Sequence, residues 1–210
     1  LGRGEWVGAE GAIWHLPDEQ VKYPVVTEWK RVVAGLDWGF VHAFALEVVG
    51  QSGSGRLGVR AELWVQGAGV DMLVDDVARL LEREDVSEVR YDPSEPGLAS
   101  ELKRGLARHR REHDGCTLHA DLRAAQNDVM PGLQAVDKAI REGMTIDPSC
   151  TGLLSELPGY TWAPNRAGGF HEKPVDVDDD ACDALRYAVM AFEPDPTNPW
   201  AGLVNAGGVA

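Results

Sequence analysis

Asp37 follows directly on the apolar run "RVVAGL" and stands between two glycines in "GLDWG". A carboxylate at the end of a buried strand is costly unless something pairs with it. Two readings are open: a turn aspartate, or a cation ligand where the strand opens. A second aspartate, Asp92, closes the run "VSEVRYD", and "DVDDDACD" packs Asp176, Asp178, Asp179, Asp180 and Asp183 into eight residues. Asp180 and Asp183 are three apart and share a face of any helix built there. Hard divalent cations such as Mg²⁺ and Mn²⁺ take carboxylate oxygens and keep waters. Two of them about 4 Å apart can stabilise the attacking and leaving oxygens of an in-line phosphoryl displacement. One carboxylate must then bridge both ions. Asp37 is the natural candidate, with Asp92, Asp180 and Asp183 completing the shells. Without cations, clustered anions raise one another's pKa values. Each position also has a plainer reading: Asp92 or Ser94 suits a helix N-cap, and the acid run suits a solvated helix start.

The elements around these acids decide whether they meet. Strands are predicted at 31–38, 42–50, 57–66, 86–92 and 116–121, with "QSGSG" closing a hairpin between the second and third. Val70, Leu73, Val74, Val77, Leu80 and Leu81 fall on one helical stripe. "PSEP" is a helix-start signature for the segment that follows, and further helices are predicted at 129–143 and 179–192. Three strands in a meander, then alternating helices and strands, predict an α/β domain with a central mixed β-sheet flanked by α-helices. If the first and fourth strands are parallel neighbours, Asp37 and Asp92 emerge at the same edge, outside the carboxyl ends, where α/β sheets bind ligands. Ala184, Leu185, Ala188 and Val189 would pack the last helix onto the sheet and bring Asp180 and Asp183 to that edge.

The 210 residues, 44% hydrophobic and 26% charged, suit one domain with appendages. The expected division is a lead-in at 1–30, a domain at 31–193 and a fraying tail at 194–210. The chain opens on Leu1, so it is expected to be part of a longer protein. No run reaches the roughly 18 apolar residues of a membrane span, and no signal peptide opens the chain. Cys116, Cys150 and Cys182 show neither a disulfide framework nor zinc-motif spacing, which suits a reducing cytoplasm. The net charge of −14 argues at face value against nucleic acid. Yet "KRGLARHRREH" (103–113) gathers basic residues, a separation compatible with a cation site beside a phosphate-contacting patch.

Taken in order, "GEWVGAEGAIW", "AGLDWG", "VRYDPSEPG", "NDVMPGLQAVDKAIREG", "LLSELPGYTW" and "KPVDVDDDACDALRYAVMAF" resemble the nuclease domain of a phage terminase large subunit, the DNA-packaging motor protein. The resemblance covers roughly residues 5 to 192 and implies a ribonuclease-H-like fold. It implies that Asp37, Asp92 and Asp183 are metal ligands of a Mg²⁺- or Mn²⁺-dependent endonuclease using two ions. Water would attack a DNA phosphodiester to leave 5′-phosphate and 3′-hydroxyl ends. Many relatives carry histidine three residues before the last aspartate. Asp180 stands there in this chain, with Asp179 as a substitute ligand. The implied partners are double-stranded DNA, an amino-terminal ATPase domain, the portal and the small terminase subunit, in the cytoplasm of an infected or lysogenic bacterium. No GxxxxGK[ST] loop occurs, so ATP hydrolysis is not expected of this segment.

Lys173 is a candidate to orient water or contact a phosphate, and Arg104 and Arg108 to steer DNA, though an exposed loop and a solvated helix face explain them equally or better. Asn127 and Lys138 are weaker candidates for facing DNA. His42 and His171 lack a second histidine or cysteine at metal spacing. "YTW" (160–162) reads as core, and "AGGF" (167–170) as a loop whose hairpin gates DNA access. The alternatives are another ribonuclease-H-like nuclease of resolvase or transposase type, and a non-catalytic portal-docking domain. An actin-like ATPase would need a second glycine-rich phosphate loop and a longer chain.

Overall fold

Residues 32 to 36 are buried without the in–out alternation of a half-exposed strand, because helices cover both faces of the sheet there. The computed structural model describes residues 11–24, 28–39, 43–164 and 169–194. Residues 1–10 and 25–27 of the lead-in, His42 and the tail from 195 onward lie outside the described residues.

Among the described residues, strands β1 (Trp29–Asp37), β2 (Ala43–Ser52) and β3 (Leu57–Gln66) form the expected antiparallel meander. Helix α1 (Val70–Arg83) leads to β4 (Glu88–Tyr91), which pairs parallel with β1. Helix α2 (Pro96–Glu112) leads to β5 (Asp121–Ala124), parallel to β4. Helix α3 (Val129–Arg141) precedes a short β6 (Thr145–Ile146) beside β3. Helix α4 (Thr151–Glu156), a hairpin of β7 (Trp162–Pro164) and β8 (Phe170–Pro174), and helix α5 (Asp180–Met190) complete the order. The six-stranded sheet runs β5-β4-β1-β2-β3-β6. Val32, Ala34 and Leu36 pack with α1 and α2 on one face, and α3, α4 and α5 pack on the other. No helix among the described residues is long and apolar enough to cross a membrane.

The fifth strand differs from expectation: 116–120 is not strand, and β5 begins only at Asp121. Side chains occupy the backbone groups of that stretch. Arg110 donates to the carbonyls of Leu118 (2.9 Å) and Ala120 (3.0 Å). Glu82 accepts the amides of Thr117 (2.7 Å) and Leu118 (3.2 Å). Arg110 is thereby committed to the fold, although it lies in the basic run. The two-residue β6 and the β7–β8 pairing escape periodicity because their strands are too short to show one. The hairpin expected near 167–170 exists as that pairing, while its turn, 165–168, lies outside the described residues.

Gly35 sets how closely α5 approaches β1. A Cβ there would stand 1.8 Å from the Ala184 carbonyl oxygen and 2.6 Å from the Ala188 nitrogen, both backbone atoms that cannot rotate away. Ala184 and Ala188 supply the matching small surface. Asp37 lies two residues on and shares this face through the strand's period of two. Gly35→Ala is expected to cost about 1–3 kcal/mol, as overpacking does, and to push α5 off the strand. Urea unfolding checks it, and a cost below about 0.5 kcal/mol would contradict so tight a contact.

Candidate metal centre

The parallel pairing of β1 with β4 matches Leu36 to Tyr91, so the two strands end together and Asp37 and Asp92 follow at one edge. The Asp92 amide continues the ladder to the Leu36 carbonyl at 2.9 Å. Trp38 ties the two turns, donating its indole N–H to the Asp92 carbonyl at 2.8 Å. The Asp92 carboxylate accepts the Ser94 amide at 3.1 Å and its hydroxyl in a turn. Helix α2 has its N-cap at Glu95 and Pro at its start, so Asp92 is a turn residue rather than the cap. Asn127 reaches the same carboxylate at 3.5 Å and accepts the Tyr187 hydroxyl at 3.1 Å.

Asp183 comes to this edge on the first turn of α5. Arg186, 1% exposed, grips it with Nη2 at 2.7 Å and Nε at 3.3 Å, and Tyr160 donates its hydroxyl at 3.0 Å. Asp180, buried, accepts the amide of Ala43 at 3.1 Å, which ties α5 to the start of β2. Beneath them Glu156 accepts the amides of Ala181 (2.8 Å) and Cys182 (3.2 Å) together with the Trp64 indole (2.9 Å). A carboxylate there satisfies helix-end N–H groups and complements the dipole. It also fixes the height at which α5 presents its acids.

The electrostatics follow from this convergence. Burial first, then Asp183, Asp92 and Asp180, push the Asp37 carboxyl up to about 8, against the opposing pull of the Trp38 amide. Burial, then Asp183, Asp176 and Asp180, lift Asp179, at the N-cap of α5, to about 7. Burial lifts Glu156 to about 7. Burial and Asp183 also raise the Tyr160 hydroxyl. Folded Asp37 keeps its proton between about 4 and 8, where the unfolded carboxyl has lost it. Metal-free stability should therefore fall as pH rises through that window, by at most about 1.4 kcal/mol per unit for this group. Asp179 and Glu156 add the same sign. Tm in EDTA at pH 5 and pH 8 measures the slope, and Asp37→Asn should flatten it. An equal slope in both proteins would remove Asp37 as its source.

Of the residues singled out from sequence, Asp92, Asp180 and Asp183 come within electrostatic reach of Asp37, and Asp179 within reach of Asp180 and Asp183. Asn127 stands at the rim. Lys173 is exposed on β8, the strand leading toward α5. Arg104 and Arg108 lie on the exposed face of α2, outside the cluster, with Arg108 4.0 Å from Glu112. Lys138 pairs with Glu193 at 2.9 Å. Tyr160 is core, as expected of "YTW", with its ring centroid 4.8 Å from Trp14. Trp38, Glu156 and Arg186 were not singled out. Arg186 is legible at i+3 from Asp183, whereas nothing local marks Glu156.

A mixed sheet of this order, with carboxylates beyond the parallel pair and α5 laid across β1 and β2, is a ribonuclease-H-like α/β domain. Among solved structures the chain is similar to the large terminase from a thermophilic bacteriophage, at 23% identity and a TM-score of 0.68, covering 89% of this chain and 47% of that one. It is similar to the nuclease domain of the P22 large terminase, at 18% identity and a TM-score of 0.65, covering 88% and 94%. It is also similar to the g2p large terminase nuclease domain of bacteriophage SPP1 with bound Mn, at 20% identity and a TM-score of 0.61, covering 85% and 100%. The fold is therefore that of large terminase nuclease domains, and the chain spans about half the length of the thermophilic phage protein. No protein-family model and no curated protein matches it.

Proposed function

We propose that this chain is the nuclease domain of a phage terminase large subunit, a metal-dependent endonuclease that cuts concatemeric double-stranded DNA during genome packaging. The observation that carries this reading is the meeting of Asp37, Asp92, Asp180 and Asp183 at one sheet edge, with Asp37 held protonated near neutrality by burial and the other three. An all-oxygen, anionic donor set of this kind fits hard divalent cations, Mg²⁺ or Mn²⁺. When bound, a pair of such ions supplies an activated water and neutralises charge on the phosphodiester. Asp37, Asp92 and Asp183 would hold such ions, with Asp37 central among them. Asp180, already committed to the Ala43 amide, is a fourth ligand or a support for the third.

The surrounding side chains do the positioning. Arg186 and Tyr160 fix the Asp183 carboxylate in one orientation, and Trp38 and Asn127 fix the Asp92 turn. Such positioning keeps the reorganisation cost of the reaction low. Lys173 is assigned to the DNA backbone or the attacking water. The reading brings its partners with it: double-stranded DNA, an ATPase domain preceding this segment, the portal and the small terminase subunit, in the cytoplasm of the bacterial host.

Supercoiled plasmid incubated with the purified chain tests the assignment. Nicking and linearisation are expected with Mn²⁺ or Mg²⁺ and none in EDTA. Cleavage undiminished by EDTA would overturn the metal assignment. A docking domain without activity predicts neither cleavage nor calorimetric Mn²⁺ binding, whereas a nuclease that needs its motor half still binds the ion.

A further inference from the structure

The fold assembles a second group of possible ligands, of different chemistry, away from the carboxylate edge. Glu82 in the last turn of α1, His109 in the last turn of α2 and Cys116 in the connection to β5 each bring one ligand atom within 4.8 Å of the others. Helix α2 starts just after Asp92 and runs 17 residues, about 25 Å at 1.5 Å per residue. Its last turn therefore lies toward the opposite edge of the sheet.

The three groups are oriented as well as near. His109 is 4% exposed, and its Nδ1 lies 2.9 Å from an oxygen of Asp75. An ionised carboxylate only accepts, so Nδ1 donates and the lone pair of the neutral ring sits on Nε2. That Nε2 lies 3.9 Å from Oε2 of Glu82, too far for a hydrogen bond. The separation is near the edge of a tetrahedron built on bonds of about 2.1 Å, which is about 3.4 Å. The other oxygen of Glu82 is held by the Thr117 and Leu118 amides. The Cys116 thiol is hydrogen-bonded to Glu82, which raises its pKa. His113 stacks on the His109 ring, centroids 3.9 Å apart, and fixes it from a further side.

We propose that Glu82, His109 and Cys116 form a site for a zinc-class transition-metal ion, with Asp75 as the residue that orients His109 and a fourth position left to water. Thiolate with imidazole and one carboxylate prefers zinc or cobalt to the hard cations of the carboxylate edge. A carboxylate on the far nitrogen of a ligating histidine fixes its tautomer and raises its basicity. On binding, the Cys116 S–H bond breaks, the sulfur–metal bond forms and one proton leaves to solvent, with no electron transferred. The ion would clasp α1, α2 and the 113–120 connection at one point. This site stands independently of the nuclease reading.

The test is titration of the metal-free chain with Co²⁺, read as the near-ultraviolet thiolate-to-cobalt band. One equivalent should produce the band, Zn²⁺ should displace it, and Zn²⁺ should raise Tm. Asp37→Asn should leave the thiolate band and its displacement by Zn²⁺ unchanged, and Cys116→Ala should abolish the band and reduce the Tm rise. Asp75→Asn, a change at an exposed position that spares the core, should weaken affinity about 10–100-fold with circular dichroism unaltered. Absence of a thiolate band, or a band that survives Cys116→Ala, would overturn the site. So would an affinity unchanged by Asp75→Asn.

Discussion

Asp37→Asn should reduce Mn²⁺-dependent plasmid cleavage by at least about a thousandfold, a loss of roughly 4 kcal/mol of transition-state stabilisation. An amide offers one neutral oxygen where the carboxylate shares its charge over two, so a divalent cation would be held less well. The same substitution should stabilise the metal-free protein at pH 8. Burial and three neighbouring acids make the Asp37 charge unfavourable there, and the amide has no charge to bury. The expected gain is on the order of a few kcal/mol at pH 8, shrinking toward pH 5. Activity lost with metal-free stability raised is the signature of a group whose charge is retained for a cation. Loss of both activity and stability would instead mark Asp37 as a structural turn residue.

Arg186→Met should be the most damaging single change to the fold, costing about 3–5 kcal/mol. The guanidinium is almost fully buried and contacts both oxygens of Asp183. Burial opposes its charge, but Asp183 holds it protonated. Its stem fills the gap left by Gly132 on α3, where a Cβ would stand 2.4 Å from Arg186 Cγ. Methionine keeps part of the stem and leaves Asp183 as an unpaired anion beside Asp37. Pairing Arg186→Met with Asp183→Asn should therefore recover more than about 1 kcal/mol of the loss, a coupling that a double-mutant cycle in urea measures. Strict additivity would show that the pair contributes no more than its separate side chains.

The class of fold was legible because long elements announce themselves. The meander reproduced its boundaries closely, and β3 falls at Leu57–Gln66 as its composition indicates. The stripe from Val70 to Leu81 is buried in α1. The 116–120 segment read as strand and is not, since Arg110 and Glu82 take its backbone partners. No local pattern reveals that side chains 8 and 35 residues distant will do so. The acids were visible for a chemical reason: Asp37 and Asp92 end apolar runs, where a carboxylate needs an explanation. Glu156 was invisible because a single glutamate in "LLSELPGY" looks like any other until α5 is laid over it. Glu82, His109 and Cys116 were invisible because their spacing follows no motif, and the turn between α2 and β5 brings them together.

Sequence alone determined what depends on neighbours along the chain. It set the three meander strands and the long helices, that Asp37 and Asp92 end apolar runs, and that Asp180, Asp183 and Arg186 share the start of one helix. Tertiary structure decided what depends on approach between segments. It made β1 and β4 parallel neighbours, so that two strand ends coincide. It let α5 descend onto Gly35 until burial, and after it Asp183, raised the pKa of Asp37. It buried Arg186 against Asp183. Coulomb interactions and desolvation depend on distance and surroundings, not on order in the chain. The same aspartates could therefore be named as candidates from the sequence, while their mutual charge coupling existed only once the sheet and α5 had closed around them.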